Sequence, residues 1–269
     1  MLTKRLAVMG AIAISTAFAQ VSSAPTDMEL LSPRQHHPMK DRVDNGNGTS
    51  TSTNWSGYAV TGTAFTSAIG SWVVPTATCT SGTQYASFWV GIDGFSSSSV
   101  EQTGTDSDCS GATPHYYAWY EFYPNPSFQI SGLTIHPGDV MAAKVSFNGT
   151  QFTVTIKDET TGKAFSKSAT VRNAARTSAE WIAEAPCCTS GNGILPLADF
   201  GTVLFGKDST SVRGTNSATD STLTNAVIGN FPAASINEIN KTGSSSSPQL
   251  SNCSALSTDG TSFSCTWAP

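Results

Sequence analysis

Charged residues are scarce in this sequence, because Asp, Glu, Lys and Arg make up only 12% of its 269 residues. Histidine is scarcer still, with four in the chain, which leaves little scope for a His-rich metal site or a His-based catalytic triad. The net charge of −5 argues against nucleic-acid binding, which usually depends on a basic face. No apolar run reaches the roughly 20 residues of a bilayer span, so we expect no membrane partner.

Several familiar catalytic motifs are also absent. The chain has no Gly-x-Ser-x-Gly, no His-Glu-x-x-His and no Cys-x-x-Cys. Residues 208–210 and 220–222 begin like the Asp-Ser/Thr-Gly motif of bilobal aspartic proteases but lack its Gly. We therefore expect neither a metal nor a cofactor, and the chemistry is left to carboxyl groups.

The N-terminus has the three parts of a secretory signal. Lys4 and Arg5 are basic, residues 6–15 are apolar, and residues 17–19 form an Ala-Phe-Ala cleavage site. We interpret residues 1–19 as a signal peptide and expect a secreted, extracellular protein.

The next segment, residues 20–50, differs from the rest of the chain. It is rich in Pro, contains the pair His36 and His37 together with three basic residues, and ends in a turn-rich run. We interpret it as a leader and residues 51–269 as a single domain, which we expect to be monomeric. That domain has nine Lys and Arg against fifteen Asp and Glu, a net charge of −6. We hypothesise that the basic leader fills an acidic cleft; a tail without a role is the alternative.

Six cysteines in an exported chain favour disulfide bonds over metal ligation. Cys253 and Cys265 bracket a short loop and predict a local bridge, and Cys79 is a plausible partner of Cys109. Cys187 and its neighbour are adjacent, so they can bridge each other only with strain.

Apolar and polar residues alternate with a period of two, as in β-strands, through most of the domain. No window of 12 or more residues has the strong 3.6-residue period of an amphipathic helix. The stretches that we predict to be strands are residues 57–65, 69–74, 85–92, 115–123, 140–147, 151–157, 165–171, 179–182 and 199–205. Many strands with Gly, Ser and Thr between them indicate an all-β sandwich or barrel.

Three carboxyl groups lie in aromatic-rich runs of these strands. They are Asp93 in Trp-Val-Gly-Ile-Asp-Gly, Glu121 in Ala-Trp-Tyr-Glu-Phe-Tyr-Pro and Glu180 in Ala-Glu-Trp-Ile-Ala-Glu. Aromatic walls desolvate a carboxyl group and raise its pKa, which suits acid–base work. A solvated strand face is the alternative for each of them.

Seven motifs in a fixed order resemble the glutamic peptidase family, the eqolisins. They are Asn-Trp-Ser-Gly-Tyr at 54–58, Ser-Trp-Val-Val-Pro at 71–75, Trp-Val-Gly-Ile-Asp-Gly at 89–94, Gln-Thr-Gly-Thr-Asp at 102–106, Trp-Tyr-Glu-Phe-Tyr-Pro at 119–124, Ala-Glu-Trp-Ile at 179–182 and Ala-Asp-Phe-Gly at 198–201. The resemblance implies a β-sandwich of two curved antiparallel sheets whose concave face carries the catalytic groups. It also implies an acid endopeptidase acting on protein or peptide substrates.

The resemblance places a catalytic Gln at Gln102, in Gln-Thr-Gly, and a catalytic Glu at Glu180, in Ala-Glu-Trp-Ile. The family's cleft-lining positions fall on Trp89, Asp93, Asp106, Glu121 and Tyr123. Glu101 departs from the pattern, because the residue before the Gln is usually apolar. We expect it to be tolerated, since strand alternation puts it on the face opposite Gln102.

The chemistry of such a pair can be stated independently. Glu180 as a carboxylate can take a proton from water and return it to the leaving amine, while Gln102 orients the water and donates to the oxyanion. The alternative is a carbohydrate-binding or carbohydrate-hydrolysing β-sandwich, with Glu121 and Glu180 as its two acids. A sugar hydrolase has no need of a Gln in that motif, so Gln102 favours the peptidase.

Overall fold

A computed structural model describes residues 28–30, 34–188 and 193–269, so the predicted signal peptide lies outside the described residues. The strands of the first half are β1 Met28–Leu30, β2 Arg34–Gln35, β3 Val43–Gly46, β4 Thr49–Ser52, β5 Trp55–Thr61, β6 Ser67–Val73, β7 Thr83–Gln84, β8 Ser87–Ile92, β9 Val100–Ser110, β10 Thr113–Tyr123 and β11 Phe128–Thr134. Those of the second half are β12 Val140–Phe147, β13 Phe152–Asp158, β14 Ala164–Ala169, β15 Ser178–Glu184, β16 Cys187–Cys188, β17 Thr202–Phe205, β18 Ser217–Thr219, β19 Ala226–Val227, β20 Ile236–Lys241, β21 Leu250–Cys253 and β22 Phe263–Ala268.

Helices are few and short. The described residues contain α1, Lys207–Thr210, and two 3₁₀ turns, Ile228–Asn230 and Ala233–Ser235. No helix among them is long and apolar enough to cross a membrane.

Each of the nine predicted stretches overlaps an observed strand, and residues 140–147 match β12 at both ends. The alternation did not predict β9, although ten of its eleven residues are buried. Val-Glu-Gln-Thr-Gly-Thr-Asp-Ser-Asp-Cys-Ser is mostly polar, so it lacks the apolar alternation by which buried strands are recognised.

The strands form an antiparallel β-sandwich, which confirms the predicted fold class. In the first sheet the neighbours are β11, β10, β9, β8, β15, β5 and β20, in that order. In the second they are β14, β13, β12, β6, β17 and β22. β21 pairs with both β22 and β20 and so joins the two sheets.

Two indole groups connect the sheets across the core. Trp72 of the second sheet donates from Nε1 to Oγ1 of Thr105 at 2.9 Å, and Trp181 of the first donates to the carbonyl of Ile69 at 2.7 Å. Both rings are fully buried. A Cβ at Gly70 would lie 2.8 Å from the Trp181 ring, so the glycine lets the ring approach the opposite strand. Buried aromatic rings of this size contribute strongly to the core, and their N–H groups need partners there.

Two of the predicted disulfide bonds are present, Cys79–Cys109 and Cys253–Cys265. The first ties the turn after β6 to the end of β9, and the second staples β21 to β22. The side chain of Cys188 lies outside the described residues, so the pairing of Cys187 and Cys188 stays open.

A second cluster of buried side chains covers the outer face of the first sheet. Its members are Trp55, Ala59, Trp89, Phe95, Val100, Tyr117, Trp119, Ile182 and Ile239. Met39 of the leader packs against it. The leader therefore runs over this face, which is where the resemblance places the catalytic residues.

Candidate active site

Strand register arranges the polar residues of the outer face in a row. Gln102 of β9 lies opposite Glu121 of β10 on one side and Gly91 of β8 on the other. Gly91 in turn lies opposite Glu180 of β15. Glu184 projects from the same face of β15 as Glu180, because side chains separated by an even number of residues share a face.

Gln102 is fully buried, and both hydrogens of its amide are used. Nε2 donates to Oε2 of Glu121 and to the carbonyl oxygen of His36, each at 2.8 Å. The same Oε2 of Glu121 accepts the backbone N–H of His36 at 3.1 Å. Oε1 of Gln102 accepts no hydrogen bond from the described residues. The amide is therefore held in one orientation, with its donor end toward the leader.

Glu184 is the second acid that contacts the leader. Its Oε2 accepts the indole N–H of Trp89 at 2.9 Å, and its Oε1 accepts the backbone N–H of His37 at 3.2 Å and the amide of Asn54 at 3.4 Å. Nδ1 of His36 lies 3.5 Å from Oε2. Several donors thus converge on one buried carboxyl group.

These contacts enclose a single peptide bond. The carbonyl of the His36–His37 bond is held by Gln102, and its N–H is held by Glu184. The segment that contains it, residues 34–40, is called the cleft segment below. Its backbone passes between the two side chains, extended at residues 34–35 and bent at Pro38.

The side chains of the cleft segment lie on aromatic residues. The His36 ring stacks on Trp119 with 3.5 Å between centroids and 5° between planes, and it is fully buried. The His37 ring lies 5.0 Å from that of Tyr123. Of the predicted cleft-lining residues, Tyr123 therefore touches the leader directly, as does Glu121.

The leader binds mainly through its backbone and its histidine rings. Nζ of Lys40 lies 3.6 Å from Sγ of Cys187, and the Arg42 guanidinium lies over the Phe95 ring at 4.5 Å. Neither basic group pairs with an acid of the site in the recorded contacts. The hypothesis that the leader fills the acidic face agrees with its position, but these charges are not what holds it there.

Glu180 lies apart from this set of contacts. A Cβ at Gly91 would lie 2.9 Å from Cζ3 of Trp89, so the indole ring occupies the space above Gly91, between Glu180 and Gln102. Neither carboxyl oxygen of Glu180 has a hydrogen bond of standard geometry to a described residue. The structure therefore does not bring the two predicted catalytic residues together.

The remaining predicted residues have separate surroundings. Asp93 is buried and accepts the backbone N–H groups of Arg176 at 2.7 Å and Thr177 at 2.9 Å, so it holds the turn that precedes β15. Asp106 is buried, with a carboxyl oxygen 2.7 Å from the Tyr117 hydroxyl. Asp93 has no hydrogen bond to the described residues of the cleft segment.

Burial is the main electrostatic influence on the acids of this face. It raises the pKa of Glu121 well above its usual value, and the negative charge of Glu184 adds to the shift. It likewise raises the pKa of Glu184, although the N–H groups of Trp89, His37 and Asn54 partly offset this by favouring the carboxylate. Acids this close titrate as a coupled group.

A second group of acids lies around Glu180. Burial raises the pKa of Glu180 well above its usual value; hydrogen bonds from Ser178 and Phe95 partly offset this, and the charges of Asp93 and Glu101 add to it. Burial also raises the pKa of Glu101 to about 9, with Asp93 contributing. These two carboxyl groups are therefore neutral in acid. Among the described residues, no cluster of three or more His, Cys, Asp and Glu side chains has the geometry of a metal site.

Comparison with known proteins identifies the family. A model of the Peptidase A4 family matches residues 53–265. The chain belongs to this family. The resemblance to glutamic peptidases is confirmed, and the chain is a peptide hydrolase of that type, which favours the peptidase over the carbohydrate-active alternative.

Two curated members of the Peptidase A4 family are similar over most of their length. Aspergillopepsin-2 of Aspergillus niger is 32% identical over 197 residues, which cover 64% of this chain and 69% of that protein. Scytalidopepsin B of Scytalidium lignicola is 33% identical over 188 residues, 66% of this chain and 71% of that protein.

Solved structures of family members share the fold. Scytalido-glutamic peptidase with a transition state analog inhibitor has a TM-score of 0.64 and 28% identity, covering 80% of this chain and 98% of that one. SCP-B, described as a member of the eqolisin family in a complex with the tripeptide Ala-Ile-His, has a TM-score of 0.60 and 26% identity with the same coverage.

Sequence reasoning missed Glu184 as a residue of the site. The signal was present, because Glu184 is the second acid of Ala-Glu-Trp-Ile-Ala-Glu and shares the face of Glu180. Both glutamates fit the alternation equally well. Only the position of Trp89 and of the cleft segment distinguishes them.

Proposed function

We propose that the protein is an endopeptidase in which Gln102 and Glu184 form the catalytic pair. The observation that carries the proposal is the His36–His37 peptide bond, whose carbonyl meets Gln102 at 2.8 Å and whose N–H meets Glu184 at 3.2 Å. A substrate peptide bound along the same path would present its scissile bond to the same two groups.

Hydrolysis begins with an activated water. Glu184 as a carboxylate accepts a proton from the water, which attacks the carbonyl carbon. Oε1 of Gln102 is the acceptor that orients this water, since Nε2 is already committed to the carbonyl oxygen and to Glu121. Because Gln102 does not titrate, it can play this part at any pH.

Negative charge then develops on the carbonyl oxygen. Nε2 of Gln102 donates to that oxygen and stabilises it in a buried site, where such a hydrogen bond is stronger than in water. Glu184, now protonated, returns the proton to the nitrogen that it already faces. The C–N bond breaks, and an acid and an amine are released.

Glu121 serves as a positioning residue in this scheme. Its Oε2 accepts from Nε2 of Gln102 and from the N–H of His36, so it fixes both the amide and the peptide backbone. Its raised pKa makes it a neutral or shared acid beside Glu184, which limits the repulsion when Glu184 ionises.

The contrast between the two glutamates of β15 supports Glu184 as the base. An active base must be ionised, and Glu184 has the donors of Trp89 and Asn54 to stabilise its charge. Glu180 has hydrogen bonds from Ser178 and Phe95 that favour its charge, but burial outweighs them and the charges of Asp93 and Glu101 add to its effect, so the neutral form is favoured. Glu180 also has no recorded contact with the described part of the leader.

The proposal extends to export and to acid conditions. The pattern of residues 1–19 supports export. The raised pKa values of Glu101 and Glu180 support work in acid, because buried acids carry no charge there and their burial then costs little.

Two matched variants on one strand test the assignment. Glu184→Gln is expected to lower cleavage of a denatured protein by at least about 10²-fold, the usual loss for a general acid–base residue. Glu180→Gln, the same change on the same face, is expected to keep activity within a few-fold. If Glu180→Gln lost peptidase activity while Glu184→Gln kept full activity, Glu180 and not Glu184 would be the general base. Circular dichroism of both variants checks folding.

A further inference from the structure

A tyrosine hydroxyl on the outer face of the first sheet lies between two buried carboxyl groups. The hydroxyl oxygen of Tyr117 is 2.7 Å from Oδ2 of Asp106 and 2.7 Å from Oδ2 of Asp108. Asp106 is fully buried, and Asp108 and Tyr117 are almost so. Tyr117 of β10 lies opposite Asp106 of β9, and Asp108 follows on the same face, so register brings the three together. They are called the Tyr117 cluster below.

The two contacts require a hydrogen that the hydroxyl alone does not supply. A phenol has one O–H, which donates to one carboxyl oxygen, while its own oxygen accepts a second hydrogen bond. Two buried oxygens this close with no hydrogen between them repel each other, which is costly where no water can intervene. One of the two carboxyl groups is therefore protonated and donates to the Tyr117 oxygen. The Tyr117 cluster thus has one shared carboxyl proton and one negative charge.

The Tyr117 cluster belongs to the cross-strand row that contains Glu184. Asp106 lies opposite Ser87 of β8, and Ser87 lies opposite Glu184 of β15. Opposed residues of antiparallel strands share a face, so Ser87 lies between the cluster and the proposed general base. Ser87 is fully buried, and its hydroxyl has no hydrogen bond to a described residue. A hydroxyl is both a donor and an acceptor, so the row has a polar group between its two acids.

The charge of the Tyr117 cluster acts on the acids of the site. Burial raises the pKa of Glu184 and of Glu121, and the negative charge of Asp106 adds to both shifts. The shared proton limits this effect, because it neutralises one of the two aspartates. When that proton leaves, one hydroxyl hydrogen serves two carboxylates, so one contact becomes repulsive. The second charge then disfavours the carboxylate of Glu184, which is the form that a general base requires.

We propose that Tyr117, Asp106 and Asp108 are positioning residues for Glu184, and that the carboxyl proton which they share sets the upper pH limit of peptide cleavage. The proposal rests on the proposed function of Glu184 as general base. Below the limit the Tyr117 cluster has one charge and both hydrogen bonds. Above it the cluster has two charges and loses one hydrogen bond. The two aspartates titrate as a unit, so the limit belongs to the pair and not to either residue.

Other titratable groups face the Tyr117 cluster and have to be separated from it. They are His115 and Glu121 of β10, Glu184 of β15, Tyr85 before β8 and His36 of the cleft segment. Among them, His115 lies directly opposite Asp108, and it is exposed. His115→Gln is therefore the matched control, because it removes a titrating neighbour of Asp108 without touching the hydroxyl bridge.

The test is the pH dependence of kcat/KM for a fluorogenic peptide, measured on protein produced from the full chain. Asp108→Asn keeps an oxygen for the N–H of Ala86, 3.4 Å away, and offers an amide that donates to the Tyr117 hydroxyl at any pH. We expect the upper limb of the profile to move to higher pH by about one pH unit, the scale on which coupled acids interact. Activity in acid should stay within a few-fold of wild type.

Asp106→Asn is the second variant and has its own signature. It removes the same shared proton, so the upper limb should again move to higher pH. It also removes a charge that adds to the effect of burial on the pKa of Glu184, so the lower limb should move to lower pH. His115→Gln should leave both limbs in place. Circular dichroism checks that each variant folds.

Three results overturn the proposal while the proposed function stands. The first is an upper limb that stays at its wild-type position in both Asn variants. The second is a loss of equal size at every pH, which a purely structural role predicts. The third is a shift in His115→Gln equal to that in Asp108→Asn, which assigns the limit to His115.

A wild type that cleaves no peptide at any pH overturns the proposed function instead. The shared proton is then tested by NMR of protein labelled at the aspartate carboxyl carbons, with the two Asn variants assigning the signals. We expect the signals of Asp106 and Asp108 to titrate in common steps. Two independent titrations would overturn the shared proton as well.

Discussion

Gln102 donates a hydrogen bond of 2.8 Å to Glu121, and this contact decides which end of the Gln102 amide faces the leader. With Nε2 held by a carboxyl oxygen, the second N–H points to the carbonyl of His36. A titrating residue in this position would change its donors with pH. An amide does not titrate, so the donors and the acceptor of Gln102 stay the same at any pH.

Removing the amide should cost transition-state stabilisation. Gln102→Ala is expected to lower kcat for peptide cleavage by about 10² to 10³-fold, the usual loss for one oxyanion donor. Gln102→Glu restores the shape but brings a third acid beside Glu121, so it should not rescue activity. Steady-state kinetics on a fluorogenic peptide measure both. Gln102→Ala with unchanged kcat would remove Gln102 from the mechanism.

Stacking on Trp119 predicts a preference for planar side chains just before the scissile bond. Trp119→Leu is expected to reduce kcat/KM for peptides with His at that position by about 3- to 10-fold, since an aromatic contact is worth about 0.5–1.5 kcal/mol. Peptides with Ala there are the internal control and should change less. An equal loss for both peptides would argue that Trp119 only supports the sheet.

Asp93 is expected to act on stability and not on substrate binding. Asp93→Asn keeps an acceptor for the N–H of Thr177 but places an NH₂ group opposite the N–H of Arg176. We expect this change to lower the free energy of unfolding by about 1–3 kcal/mol. Asn also tolerates the positive φ of 72° at this position. Urea unfolding and KM are the two measurements. A raised KM with unchanged stability would support the cleft role that the family resemblance implies.

Glu101 predicts a particular dependence of stability on pH. Its pKa rises from 4.5 to about 9 in the folded protein, so the folded state keeps a proton that the unfolded state loses. The stabilisation is fully present below 4.5 and is lost as pH rises toward 9, by about 1.4 kcal/mol per pH unit for this group. Glu101→Gln should flatten that decline in urea midpoints measured across this range. Glu159→Gln, at a partly exposed glutamate that pairs with Lys157, should leave the decline unchanged. An equal slope in Glu101→Gln and wild type would contradict the assignment.

His37 predicts how acid acts on the bound leader. Burial and the charge of Lys40 lower its pKa from 6.5 to about 4, so docking favours the neutral ring. The contribution of the neutral His37 ring to leader binding is fully present above pH 6.5 and is lost as pH falls toward 4. Because the ring is partly exposed, we expect the binding constant of the leader to fall by less than about tenfold per pH unit.

Hydrogen exchange of residues 34–40 measures this effect in a Glu184→Gln background, which removes cleavage. Besides Lys40, the groups facing His37 are Tyr123, Asn54 and position 184, and these are identical in both arms. With His37→Gln added, exchange should become less sensitive to acid. Unchanged acid sensitivity would assign the release to other groups, Glu121 among them.

The sequence by itself predicted the fold class and nine of the 22 strands among the described residues, because alternation of apolar and polar residues reports directly on which face of a sheet is buried. It also determined the two disulfide bonds and the family, since the motifs lie in a fixed order. It did not predict β9, whose side chains are mostly polar although nearly all are buried. That strand carries Gln102, one member of the proposed catalytic pair.

Only the tertiary structure decided which glutamate faces Gln102. Glu180 and Glu184 lie on one face of β15, and alternation cannot separate them. The separation comes from a glycine on the neighbouring strand: Gly91 leaves space that the Trp89 ring fills, which shields Glu180, while the N–H of the same ring reaches Glu184. The position of the leader is likewise tertiary, because the side chains of Gln102, Glu121 and Glu184 hydrogen-bond to its backbone, and only the fold brings residues so distant in sequence together.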